Sequence, residues 1–179
     1  GPSGWVPNAN TNRIIYTPYA NPDTFSTTVW PNAVAPAGAS FLETNSIFST
    51  YLYPGNQTDR AITNGINLSG EGGMVWIRER EGGNHFVFDT VRTLENSIQT
   101  NERDAQSFRD ETVEAYNTDG FDLGTGTNCN ETGKTFVSWT FRKAPRFFDI
   151  VSYTGDSNSQ QVLAHNLDSD PGMVIIKST

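Results

Sequence analysis

Little of the usual catalytic equipment is present. The 179 residues hold one cysteine, two histidines and two methionines. Cys129 can form no internal disulfide and has no second thiol for a metal site, so it reads as an incidental small residue in a loop. His85 and His165 stand apart, in no His-x-x-x-His pattern, and no Gly-x-Ser-x-Gly elbow supplies a nucleophile. His85 reads as a strand residue at a sheet edge and His165 as a turn residue. Charged residues make up only 18% of the chain and bases are outnumbered twelve to twenty, a net charge of −8. That balance opposes a phosphate backbone, and Arg142-Lys143 with Arg146 is too small a patch to offset it. No nucleic-acid partner is expected. No apolar run is long enough to cross a bilayer, so no membrane insertion is expected either. Asn130-Glu131-Thr132-Gly133-Lys134-Thr135 imitates the end of a phosphate-binding loop. The glycine required five residues before Gly133 is Asn128, and a strand rather than a helix follows.

What fills the space is Asn, Thr, Ser and Gly, residues that serve turns and solvated strand faces and are poor helix formers. The composition is that of an all-β protein. Its end repeats its middle. FSTYLYPGNQTDRAITNGINLSGEGGMVWIR at 48–78 matches FDIVSYTGDSNSQQVLAHNLDSDPGMVIIK at 148–177. Phe48 pairs with Phe148, Tyr53 with Tyr153 and Gly55 with Gly155. After a one-residue gap, Asn67-Leu68 pairs with Asn166-Leu167 and Gly73-Met74-Val75 with Gly172-Met173-Val174. A spacing of 100 residues is too long for a solenoid repeat and suits a whole domain. The expected organisation is an extended Pro/Asn-rich arm at 1–45, a β-sandwich at 46–145, and the opening strands of a second copy at 146–179. In that second copy, Phe148, Ile150, Val174 and Ile176 need to bury their faces on the first copy's sheets or on a neighbouring chain.

Prolines punctuate the arm, yet aromatics are frequent there. Ile14-Ile15-Tyr16 and Thr27–Trp30 are possible short strands, and Trp5, Tyr16, Tyr19 and Trp30 are candidate contacts between subunits. From Ile47 onward strands alternate with turns. They are expected at Phe48–Tyr53, Arg60–Thr63, Met74–Arg78, His85–Asp89, Leu94–Ile98, Val113–Tyr116, Phe121–Leu123 and Phe136–Phe141. The turn at 81–84 should close a hairpin. Asn101–Asp110 reads as a loop or one or two helical turns, and Gly124–Gly133 as a polar loop. Trp76 and Trp139 are expected in the core, where large aromatics dominate sandwich packing, rather than as a stacking platform for a sugar.

With the strands placed, a series of motifs stands out: GGMVWIRER, HFVFDTVR, NTDGFDLG, ETGKTFVSWTFRKA and FFDIVSYTGD. In this order they resemble a domain that recurs in tail-fibre and other virion appendage proteins of marine tailed bacteriophages. The likeness covers about residues 47–177. Tyr53-Pro54-Gly55 stands where that family has Tyr-Thr-Gly, Gly72 where it has Pro, and Thr93 where it has Gly. The resemblance implies a concanavalin-like or jelly-roll antiparallel β-sandwich and a non-enzymatic structural or interaction module. Its expected partners are other copies of itself, other virion proteins and a host-surface glycan or protein. It would be made in the bacterial cytoplasm and be extracellular once assembled in the virion.

The loops most available to a partner are 79–85, 99–112 and 124–134, which makes Glu81, Asn84, Asn101, Arg103, Asn128 and Asn130 candidate contacts. A depolymerase would need two carboxylates facing one another across a glycosidic bond, and Asp89, Glu95, Glu111 and Glu114 are the acids placed to supply them. A lectin-like module could use calcium, for which Asn117, Asp119, Asp122, Asp156, Asp168 and Asp170 offer oxygens near turns. Asp and Asn serve turns equally well without an ion. No catalytic residue, metal ligand or cofactor is assigned.

Overall fold

The computed structural model describes residues 44–157 and 160–178. All of the arm but its last two residues lies outside them, with its two expected strands and the candidate contacts Trp5, Tyr16, Tyr19 and Trp30.

One helical turn, α1 (Thr44–Ile47), leads into β1 (Phe48–Pro54). The chain continues through β2 (Arg60–Thr63), α2 (Leu68–Glu71), β3 (Gly73–Glu79), β4 (His85–Asp89), β5 (Asn96–Gln99) and β6 (Ser107–Phe108). After β7 (Val113–Tyr116), β8 (Gly120–Leu123) and α3 (Thr127–Asn130), it closes on β9 (Thr135–Arg142). Two antiparallel sheets result, one ordered β1-β9-β3-β4-β5-β6 and one ordered β2-β8-β7. They form a sandwich: Tyr53, Val75, Ile77, Phe86, Phe88 and Phe136 of the larger sheet share one buried cluster with Ile62, Val113, Phe121 and Leu123 of the smaller. The chain is therefore an all-β antiparallel sandwich. No helix among the described residues is long and apolar enough to cross a membrane.

Alternation decides which side chains enter the core. In β3, Val75 and Ile77 point inward while Met74, Trp76 and Arg78 point out. The register pairs Trp76 with Trp139 and Ile77 with Ser138, so β9 sends Phe136, Ser138 and Thr140 inward. Trp76 and Trp139 are consequently half-buried on the outer face of the large sheet and lie outside the core cluster, against expectation. Hydrophobicity misleads at β9 because its inward face is the more polar one. Thr140 fits there by accepting a hydrogen bond from Asn64 Nδ2 at 2.8 Å, and Phe136 stacks on Tyr53 with centroids 5.4 Å apart. β9 is central, as expected, lying between β1 and β3.

Other differences are local. A turn holding Glu95 in the left-handed region (φ 63°) delays the strand expected from Leu94 until Asn96. The 101–110 stretch takes no helical turn; its end forms β6, which pairs with β5. His85 opens β4, an internal strand rather than an edge. The supposed polar loop 124–133 contains α3, whose Cys129 and Asn130 are fully buried.

Candidate functional site

Three of the six predicted contact residues, Glu81, Asn101 and Asn130, bind the protein's own backbone. Asn101 donates from Nδ2 to Asn84 Oδ1 at 2.9 Å and accepts the His85 amide at 2.9 Å. The β3–β4 turn is thereby tied to the loop after β5. Glu81, exposed, accepts the Thr135 amide at 3.1 Å and its hydroxyl at 2.5 Å, and these bonds hold its carboxyl below the ordinary range. Arg103 and Asn128 are exposed on their loops.

Asn130 is a correction, since it is 0% exposed and can touch no partner. Its Oδ1 accepts the Asn56 amide at 3.0 Å, while Nδ2 donates to Thr58 O at 3.0 Å and Gly124 O at 2.8 Å. A buried amide is tolerated only when its donors and acceptor find partners, and here they bridge segments over 70 residues apart. Beside it, the Tyr53 hydroxyl donates to Cys129 O at 2.9 Å. Burial pushes the Cys129 thiol well up, so it is a core residue and no nucleophile.

On the outer face of the large sheet, the rings of Trp76 and Trp139 meet edge to face, centroids 5.8 Å apart. Trp76 Nε1 donates to His85 Nδ1 at 3.2 Å. Partial burial, with Arg78 nearby, lowers the His85 pKa and keeps that nitrogen available as an acceptor. Phe141 extends the aromatic surface, stacking on Phe147 at 6.3 Å and contacting Phe148 at 5.4 Å.

An open cleft of about 620 Å³ runs beside α2, lined by Leu68, Glu71, Thr90, Val91, Tyr116 and Lys143 among others. Its size would admit a saccharide. Three of its polar side chains are already engaged, however. Thr90 Oγ1 accepts the Gly73 amide at 2.9 Å, Lys143 pairs with Asp149 at 3.0 Å, and Glu71 lies 3.7 Å from Arg142.

The acids divide sharply. Asp89 is fully buried, pairs with Arg92 and accepts the Val91 and Arg92 amides at 3.0 Å each, so it shapes a turn. Asn117 and Asp122 bond each other at 2.7 Å, and Asp168 lies 3.9 Å from Arg146. A grouping that sequence spacing did not reveal is Asp59 with Glu111 and Glu114, whose carboxylate oxygens lie within 4.8 Å of one another. Partial burial and then the neighbouring charges of Glu111, Asp59, Glu95 and Asp122 raise the Glu114 pKa.

The described residues of 146–178 form no strand. The segment is fastened at its root. Asp149 takes the Lys143 ammonium, the Ile150 amide at 2.9 Å and the Asn166 amide at 2.7 Å. Although partial burial works the other way, these bonds bring its carboxyl below the usual range. Phe148 and Ile150 find partial cover here, whereas Val174 and Ile176 are exposed and join neither sheet of the first copy.

Neither a curated protein nor a solved structure matches the chain. One family matches residues 43–179, more than half of the sequence and inclusive of the second-copy segment. The chain belongs to that family, described as a domain of unknown function (DUF7483).

Proposed function

We propose that the chain is a non-enzymatic structural and interaction module of a bacteriophage virion appendage, a tail fibre or a related part, serving assembly or host-surface attachment. The observation that carries this reading is the internal repeat. A complete sandwich is followed directly by a second opening of the same unit, the pattern of domains placed end to end. The ordered motif series supports the appendage assignment, and its members fall on β3, β4, β8, β9 and the second opening. Such a module acts by geometry: buried aromatics hold the sheets, and loops around Arg103 and Asn128 present polar groups outward. Several copies on one particle would convert weak single-site binding into avidity.

Light scattering coupled to size-exclusion chromatography tests the assembly reading. A discrete trimer or larger homo-oligomer is expected, and a monomer at all concentrations removes it. Glycan-array screening with and without calcium tests attachment.

One observation favours a second reading, a carbohydrate-active depolymerase. Glu111 and Glu114 are close, and the Glu114 pKa is raised, as that of a general acid would be. Against it, Glu111 and Asp59 are exposed, and the cleft beside α2 is lined by other residues. Release of reducing ends from host polysaccharide, abolished by Glu114→Gln, would establish that reading.

A further inference from the structure

Register arranges the outer face of the large sheet in rows. One row runs Thr50, Trp139, Trp76 and Val87 across β1, β9, β3 and β4, and the next runs Leu52, Val137, Arg78 and His85. Both indoles are half-buried, which leaves part of each ring to solvent. Neither belongs to the core cluster, so packing inside the sandwich does not account for them.

Arg78 and His85, cross-strand neighbours in the second row, hold unused donors. No described residue accepts a hydrogen bond from the Arg78 guanidinium, and its Nε is shut off from water as well. The acids of β3, of the turn after it and of β4 are engaged elsewhere. Glu79 pairs with Lys134 at 2.9 Å, Glu81 holds Thr135, and Asp89 pairs with Arg92. In His85, Nδ1 accepts from Trp76, which places the proton of the neutral imidazole on Nε2. That N–H has no acceptor among the described residues either.

Adjacent donors without an acceptor fit a ligand group that only accepts, and a planar carboxylate matches the guanidinium fork. The indole row lies two residues along the strands, about 7 Å away, within reach of a ring that stacks there while its carboxylate meets Arg78. A ligand adding as a β-strand has no edge here, because β3 and β9 are paired on both sides. The net charge of −8 opposes a chain of phosphates. A pyranose with its C–H face on an indole satisfies both rows.

We propose that Trp76, Trp139, Arg78 and His85 form a binding site for a carboxylate-bearing saccharide of the uronic-acid class. Arg78 takes the carboxylate, His85 Nε2 donates to one of its oxygens or to a neighbouring hydroxyl, and the indoles carry the sugar ring. The site rests on the attachment half of the proposed function and names the class of its ligand.

The test titrates the full chain with tetramers of galacturonate, glucuronate and mannuronate, each beside its carboxyl-reduced neutral form. Indole N–H signals are followed by NMR and assigned with Trp76→Phe and Trp139→Phe. At least one acidic tetramer should shift both signals with a Kd of about 1 mM or tighter, and its neutral form should bind at least about tenfold more weakly. Arg78→Met, which keeps the apolar stem, should lose about tenfold or more with its Tm retained, and Arg78→Lys should recover only part. The inference is overturned if no acidic tetramer binds at about 10 mM, if the neutral form binds equally, or if Arg78→Met binds like the wild type. Tighter binding of a poly-glutamate peptide would make the partner an acidic protein and would also overturn it. If neutral glycans alone bind on an array, this site fails and the attachment reading stands. If the tetramers bind as expected but the chain adheres to no host cell, the site stands and the attachment reading fails.

Discussion

Replacing Asn130 with alanine tests whether the sandwich is held at its closing end by one buried amide. The substitution strands the Asn56 amide, the Thr58 carbonyl and the Gly124 carbonyl. The first two are partly accessible and lose about 1 kcal/mol each, while the buried Gly124 carbonyl loses about 1–3 kcal/mol. A total of about 3–5 kcal/mol follows, which for a chain of this size lowers Tm by roughly 10 °C. Urea denaturation followed by tryptophan fluorescence would measure it, with an unchanged m-value required for a two-state comparison. Asn130→Asp sharpens the test. It retains the acceptor for Asn56 but turns an oxygen toward two carbonyls, which raises the folded-state pKa of the new carboxyl above its unfolded value. Protons are then held more tightly in the folded state, so stability should recover as pH falls through the folded pKa and be lost as pH rises through it. A loss below about 1 kcal/mol for Asn130→Ala, or a pH-independent deficit for Asn130→Asp, would refute the reasoning.

Asp89→Ala should cost about 3–5 kcal/mol in chemical denaturation, because it leaves the Arg92 guanidinium and two backbone amides without their carboxylate. Cys129 should react with thiol reagents orders of magnitude more slowly in the native protein than in urea, and its labelling rate should track global opening. Glu114→Gln should raise Tm by about 1–3 °C at pH 7, because it removes a partly buried charge and its repulsion by Glu111 and Asp59. That gain should fade as pH drops through the raised Glu114 pKa, where the wild-type carboxyl is itself neutral. Truncation before Arg146 should lower Tm by several degrees through loss of the Phe147 and Phe148 contacts and the Asp149 anchor, read by scanning calorimetry.

The strands were legible wherever alternation ran between unambiguous turns. Arg60–Thr63, His85–Asp89 and Val113–Tyr116 coincide with β2, β4 and β7. Sequence pattern failed where polarity and burial part company. β9 turns serine and threonine inward and tryptophan outward, an orientation fixed by its register with β3 rather than by its own hydrophobicity. Asn130 looked like a solvent-facing loop residue because an amide that satisfies buried backbone groups is chemically the same amide that would face water. The Asp59, Glu111 and Glu114 grouping joins segments 52 residues apart and depends on tertiary folding alone. The repeat itself was legible, but the close approach of Gly55 to the Glu131 carbonyl and of Gly73 to the β9 backbone became visible only in three dimensions.

The position of β9 also governs the order in which the protein can fold. Phe48 pairs with Phe141, so the strand that completes the large sheet is the last of the described strands to leave the ribosome. At about 5–20 residues per second, β1 waits several seconds for β9, its hydrogen-bonded neighbour among the described strands, with Tyr53 and its edges uncovered. Such long-range closure predicts slow refolding, on the millisecond-to-second scale, and a nascent chain vulnerable to wrong pairing. In a row of these units each newborn β1 would meet the finished sandwich before it, making synthesis rate and chaperone supply determinants of yield.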